Sequence, residues 1–170
     1  DITWAAAYFA EDPDWTPPAD GGAVSQWDDG SGNARHVSQG TGTAQPTYRA
    51  SVAALNGKPA VQWDGTSDVL SSSTFTAVTQ PWSWVIVAYA TGAAAVRRAV
   101  SNNGGTSWVR RDVTTDDLTV NPGTSNVTAA GTLTGAPLLL GVGNGAPPAA
   151  LLDGTSPPGG PGTAPWTIVH

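Results

Sequence analysis

The chain holds no cysteine and no methionine, only two Phe and three Tyr, one Lys (Lys58), one Glu (Glu11) and two His (His36 and His170) in 170 residues. Each shortage removes a class of chemistry. Without Cys there is no disulfide, no thiolate nucleophile and no cysteine metal site. With so few histidines and no Gly-x-Ser-x-Gly elbow, Ser/His/Asp catalysis has no visible frame. A two-histidine metal centre has no support either, and His36 reads as a surface or strand-edge residue. Helical periodicity is nearly absent. Only Asp1 to Glu11 could form a turn or two, before Pro13, Pro17 and Pro18 end it. No apolar run reaches the ~18 residues of a transmembrane helix, so membrane insertion is not expected. Basic residues are scarce too. The formal charge is −6 and the charged fraction 12%, which argues against a nucleic-acid partner, since that needs a basic face.

What is present is turn chemistry and tryptophan. A chain of 170 residues fits one domain, residues 1–170. Eight Trp, with Val and Ala, must fill its core, and 21 Gly and 14 Pro fall between apolar runs as punctuation. Short β-runs recur between turn signals about every 8–12 residues, the spacing of a sandwich or barrel. Candidate strands are Ala23–Trp27, Ala60–Trp63, Trp82–Ala90, Val96–Ser101, Ser107–Asp112, Leu118–Asn121, Leu138–Val142 and Ala149–Leu152. Trp82–Ala90 is apolar on both faces, which predicts a central strand covered on both sides. Residues 1–22 read as an irregular lead-in and 155–165 as a Pro/Gly-rich loop. Trp166–Val169 looks like the start of a further strand. The expected class is all-β, an antiparallel β-sandwich.

Two stretches are more specific. Val24-Ser25-Gln26-Trp27-Asp28-Asp29-Gly30-Ser31-Gly32-Asn33-Ala34-Arg35-His36 and Leu55-Asn56-Gly57-Lys58-Pro59-Ala60-Val61-Gln62-Trp63-Asp64-Gly65-Thr66-Ser67-Asp68-Val69-Leu70 each read as a strand that ends on Trp and breaks into an Asp/Gly turn. In this order and spacing they resemble the opening strands of the concanavalin A-like, laminin-G-like jelly rolls of bacteriophage tail and other virion proteins. The resemblance covers roughly Ala23 to Gly154, with Trp4 to Tyr8 as a weaker lead-in. It implies a jelly roll that binds surfaces more often than it runs chemistry. Relatives of that kind continue through further strands. Here either another chain completes the sheet, or the domain is a shortened variant.

The resemblance also raises two chemistries. Hydrolases of this architecture place their acids on one strand as Glu-x-Asp-x-Glu, because alternate positions share a face and glycoside cleavage needs two carboxyl groups. This chain has only Glu11, in a Pro-rich loop, so a catalytic pair would have to come from separate loops, such as Asp28 with Asp68. Domains of this kind often carry Ca²⁺, which takes several oxygen ligands. Asp28 and Asp29 in one turn, and Asp64 and Asp68 in the other, offer such oxygens. The reading preferred from the residues alone is that they cap their own turns.

One cluster follows from hairpin geometry. A loop centred between Asn103 and Gly104 sets Arg97 opposite Arg110 and Ala99 opposite Trp108, placing all four on one face. Val96, Arg98, Val100, Val109 and Arg111 take the other. Two arginines facing each other need an offset: Asp112, Asp116 or Asp117, stacking on Trp108, or an anionic partner such as a glycan or a neighbouring virion subunit. A one-residue register shift flips this assignment. Among the other tryptophans, Trp27, Trp63 and Trp84 read as core. Trp15 is a loop residue, either a lid pinning its loop or a platform for sugar.

These readings rank three functions. The first is a non-enzymatic virion component, a minor tail or capsid decoration protein located in the particle, whose partners are other virion subunits or a host-surface glycan, with homo-oligomers among its states. The Ala, Gly, Thr and Pro richness fits phages of actinobacteria. The second is a carbohydrate-binding module of a secreted bacterial protein. The third is a hydrolase built on Asp28 and Asp68. No cofactor is expected beyond the calcium just described.

Overall fold

The structure, a computed structural model, describes residues 4–76, 83–89, 97–101, 108–111, 118–121, 127–129, 138–143 and 149–152. The chain divides into two compact units, Asp1–Val78 and Thr79–His170. Among the described residues every strand pairing is antiparallel and no α-helix forms. The protein is all-β in these residues, as its turn spacing predicts. The turn or two of helix expected before Glu11 does not form; Trp4–Phe9 runs without regular structure.

In the first unit, β1 (Gln26–Trp27), β2 (Val37–Ser38) and β5 (Ser71–Ser72) form one sheet in the order β1-β2-β5. β3 (Thr47–Val52) and β4 (Lys58–Gln62) form a hairpin. Its turn is Asn56-Gly57, with φ of 55° and 75°, the left-handed conformation that Asn and Gly tolerate and that matches the twist of paired strands. Single 3-10 turns at Gly42–Ala44 and Ala53–Leu55 complete the unit.

The hairpin contains a bulge with a visible cause. Arg49 pairs with Ala60 and Val52 with Lys58, so Ala50 and Ser51 oppose Pro59 alone. Proline has no N–H to give the ladder, and an extra residue opposite it is the usual accommodation. The Ala50 amide, released from the ladder, donates instead to Asp20 Oδ1 at 2.9 Å. On the other side of β3, Ala23 bridges Thr47. The Val24 amide reaches Pro46 O at 2.7 Å and the Tyr48 amide reaches Gly22 O at 2.8 Å. The expected strand Ala23–Trp27 thus divides, its first half flanking β3 and its second half being β1.

The core of this unit is Trp15, Val24, Tyr48 and Val61, with Ala10, Trp27 and Leu70 packed against it. Tyr48 and Val61 are register partners and so share the inner face. Each fully buried side chain of this size contributes about 1.5–3 kcal/mol. Rings pack outward from this centre: Trp15 lies 5.7 Å from Tyr48, edge to face, and 5.7 Å from Trp27, tilted, and Trp27 lies 6.1 Å from Trp63, also tilted. Trp63, expected in the core, is exposed at the end of the row. It follows the last residue of β4, where the covering face runs out.

In the second unit, β6 (Ser83–Ala88) pairs with β11 (Leu138–Gly143), which pairs with β12 (Ala149–Leu152). β7 (Arg97–Ser101), β8 (Trp108–Arg111), β9 (Leu118–Asn121) and β10 (Val127–Ala129) form a four-stranded meander. β6 is an edge strand among the described residues, and its Val87 is 65% exposed. Apolar residues on both faces predict a covered central strand. The valines suit extended backbone whether or not they are buried, so the pattern overstates burial.

The hairpin register differs from the expected one. Arg97 pairs with Arg111, Arg98 with Arg110, Val100 with Val109 and Ser101 with Trp108. The register shifts between Arg98 and Val100, which leaves Ala99 as an extra, bulged residue. Arg110 therefore shares its register face with Trp108 and Arg98, and Arg97 takes the opposite face with Arg111. The expected set of Arg97, Ala99, Trp108 and Arg110 on one face is corrected to Arg98, Trp108 and Arg110. Residues 112, 116 and 117, expected to offset the arginines, lie outside the described residues, as does the Pro/Gly-rich segment 155–165.

Candidate functional site

The two Trp-Asp turns gather the densest side-chain hydrogen bonding of the first unit. In the first turn Asp29 is the hub, 7% exposed. Its Oδ1 accepts from the Ala7 amide at 2.8 Å and the Ser31 amide at 3.0 Å. Its Oδ2 accepts from the Ser31 hydroxyl and the Arg35 amide, both at 2.9 Å. Burial pushes this carboxyl up, but the donors from Ala7, Arg35 and Ser31 outweigh it and hold the group below the ordinary carboxylate value. Four donors fill a carboxylate's acceptor positions, so Asp29 has no lone pair left to offer a metal.

The turn binds the N-terminal segment Trp4–Phe9 like a strap. Besides the Asp29 bond, the Gly30 amide donates to Ala7 O at 2.8 Å. Asn33 Nδ2 donates to Trp4 O at 3.0 Å and Arg35 donates to Ala5 O at 2.8 Å. Trp27 Nε1 donates to Phe9 O at 3.2 Å. Tyr8 packs on Trp27 at 6.0 Å and donates its hydroxyl to Arg35 O. Its phenol is pushed up to about 12 by burial and by the Asp29 charge, against the opposing pull of Arg35.

Asp28 behaves differently from its neighbour. Its Oδ1 accepts from Gln26 Nε2 at 2.6 Å and lies 3.1 Å from His36 Nδ1. The same ring nitrogen lies 3.1 Å from the Asp29 amide. A ring with its lone pair on Nδ1 accepts from that amide, whereas a ring protonated there donates to Asp28.

The second turn closes on itself. Asp64 Oδ1 accepts from the Thr66, Ser67 and Asp68 amides at 2.7, 2.9 and 3.1 Å. Its Oδ2 accepts from the Ser67 hydroxyl at 3.1 Å, and Asp68 Oδ2 accepts from the Asp64 amide at 2.7 Å. These amides hold the Asp64 carboxyl down at about 2. Asp29 and Asp64 thus cap their own turns, the simpler of the two readings the sequence allows.

The four acids expected as calcium ligands stay in two separate turns. No group of three His, Asp or Glu close enough to share a metal ion occurs among the described residues. Asp28 and Asp68, the suggested catalytic pair, line different depressions. One, about 340 Å³, is bordered by Asp14, Thr16, Ser25, Gln26 and Asp28. The other, about 200 Å³, is bordered by Thr47, Arg49, Gln62, Asp64 and Asp68.

Trp15 is 5% exposed and its Nε1 donates to Gln26 O at 3.1 Å. It pins its loop to the core, which accords with the lid reading of this residue and leaves little of its face for a sugar. Side-chain surroundings of Arg97, Trp108 and Arg110 lie outside the described residues. Glu11 meets Lys58 at 2.9 Å on the exposed surface, a pair worth little to stability.

Sequence reasoning missed Arg35 and Arg49. Arg35 holds Ala5 and lies 4.4 Å above the Phe75 ring. Arg49 donates to Gln62 at 2.6 Å across the hairpin. The signal for Arg49 was in the Asn-Gly turn, which fixes that hairpin; Arg35 had none.

No helix among the described residues is long and apolar enough to cross a membrane. Comparison with known proteins finds no matching family model, no matching curated protein and no matching solved structure.

Proposed function

We propose that this chain is a non-catalytic attachment domain of a bacteriophage virion, a minor tail or capsid decoration protein. In this reading it is a concanavalin A-like jelly roll that joins another virion subunit or the host surface. The support is the pair of Trp-Asp turn motifs together with what their acids do. Asp29 and Asp64, the most heavily bonded carboxylates described, each accept from four donors on their own or neighbouring backbone and side chains. An acid that must shuttle protons needs a free or substrate-facing oxygen, and these have none. The motifs that carry the resemblance therefore serve as architecture.

A second reading, a carbohydrate-binding module, draws on the 340 Å³ depression, where Asp14, Ser25, Gln26 and Asp28 supply acceptors and donors suited to sugar hydroxyls. The hydrolase reading is weaker, because Asp28 and Asp68 border different depressions.

The test is mass spectrometry of purified phage particles combined with a glycan array on the isolated chain. Detection of the chain in intact particles without polysaccharide turnover supports the virion role. Glycan binding lost on Asp28→Asn, in a chain absent from particles, transfers the assignment to the module. Polysaccharide turnover that disappears in the same variant overturns both.

A further inference from the structure

The contacts of the N-terminal strap have an unusual character: they are directed at its main chain. Trp4 O, Ala5 O, Ala7 O and Phe9 O each receive a donor from the turn region, and the Ala7 amide is received by Asp29. A seat of this kind reads an extended backbone, as an open strand edge does. Its occupant here is the chain's own residues 4–9, which every other copy of the chain also carries.

The link between strap and body is short. The Asp12 amide bonds Phe9 O at 3.1 Å and the Trp15 amide bonds Asp12 O at 3.2 Å, and Pro13 lies between them. On the strap itself Ala7 is buried and Ala10 packs against the core, and the next buried residue after the link is Trp15. Opening the turn at Asp12–Asp14 would free the strap, and docking on a second copy would return Ala7 and Ala10 to the same packing there.

The seam is also apolar and uncovered. Trp4 and Phe9 on the strap are exposed, and so are two rings beside it. Trp63 packs at a tilt against Trp27, which holds Phe9 O; Phe75 lies beneath Arg35, which holds Ala5 O. Exposed aromatic residues next to the groups that hold the strap offer apolar area to an interaction surface.

We propose that two copies of this chain associate by exchanging their straps, residues 4–12 of each docking on the 27–35 turn of the other. Exchange reproduces every strap bond within the pair, so the hydrogen-bond count does not change. What it adds is burial along the exposed aromatic seam, which offsets the entropy of association. The pairing rests on strap geometry alone and holds whatever the domain attaches to.

The sequence supplies its own probe. Glu11 is the only Glu and Lys58 the only Lys, and their side chains meet at 2.9 Å. Glu11 lies on the strap and Lys58 on the body. Isotopically heavy and light chains are co-refolded, concentrated, separated by size and treated with a zero-length carbodiimide. The Glu11–Lys58 cross-linked peptide is then read by mass spectrometry. Exchange predicts a dimer whose cross-link is mixed heavy–light as often as it is unmixed, and the mixed species falls when Asp29→Ala weakens the seat. A chain that stays monomeric, or a dimer whose Glu11–Lys58 cross-link is always unmixed, overturns the proposal.

Discussion

The carboxylate of Asp29 holds the amide of Ala7 at 2.8 Å across a sequence separation of 22 residues. One buried acid thereby ties the N-terminal strap to a tight turn and closes that turn through Ser31 and Arg35. A hydrogen bond to a charged, buried group is worth about 1.5–3 kcal/mol. Asp29→Ala is expected to lower stability by about 3 kcal/mol, and Asp29→Asn, which keeps one acceptor, by about 2 kcal/mol. Urea denaturation measures both. Amide exchange at Ala7 and Gly30 should accelerate in either variant, and unchanged exchange there would show that the strap is held by something else.

The response to acid follows from two depressed carboxyl groups. Asp29 and Asp64 lie below the ordinary 3.8 when folded, Asp64 at about 2. As pH falls, the unfolded chain takes up these protons first, so the stabilisation is complete above about pH 4 and is lost toward pH 2. Denaturation midpoints between pH 5 and 2 should decline, and the decline should be shallower in Asp64→Asn.

Tyr8 gives the opposite limb. Its phenol is raised from 10.0 to about 12, so the unfolded chain loses that proton first as pH rises. The stabilisation is complete below pH 10 and disappears through about pH 12. An ultraviolet titration of phenolate absorbance should show one tyrosine ionising late, and Tyr8→Phe should remove that component.

Two glycines separate space from conformation. A Cβ on Gly22 would lie 2.8 Å from Ala19 O and from Pro18 Cβ, and the backbone oxygen cannot move aside. Gly22→Ala is expected to cost about 1–3 kcal/mol. Gly40 has nothing within 4 Å and no positive φ, so Gly40→Ala should change stability by less than about 0.5 kcal/mol. Thermal melts of the pair decide it.

The register of β7 and β8 can be tested directly because the chain contains no Cys. Arg98 and Arg110 are partners and Arg97 and Arg110 are not. Under mild oxidation, Arg98→Cys with Arg110→Cys should close a disulfide, whereas Arg97→Cys with Arg110→Cys should not, since unpaired positions point apart. The reverse result would restore the unbulged register.

Much of the strand layout was legible where turn residues bracket apolar runs: β9 and β12 begin and end where the punctuation places them. β3 was not, although Asn56-Gly57 announces its hairpin. In Thr47–Val52 only Tyr48 and Val52 are large apolar side chains, and Pro59 interrupts the partner strand, so neither side shows clean alternation. β2 and β5 are two residues long, too short for any period. At the candidate site, the turns could be read but not the division of labour within them. Asp28 and Asp29 are neighbours of one type; only folding decides which is buried beneath the strap. The bulge at Ala99 was hidden because an extra small residue leaves no mark on composition.

The short two-stranded sheet has a wider consequence. Among the described residues β4 hydrogen-bonds to β3 alone, which leaves its far rim open. Lys58 opens that strand, and a charge at an unpaired edge discourages a stray strand from annealing there. The one lysine ammonium group of the chain thus guards the rim that the bulged hairpin leaves without a partner.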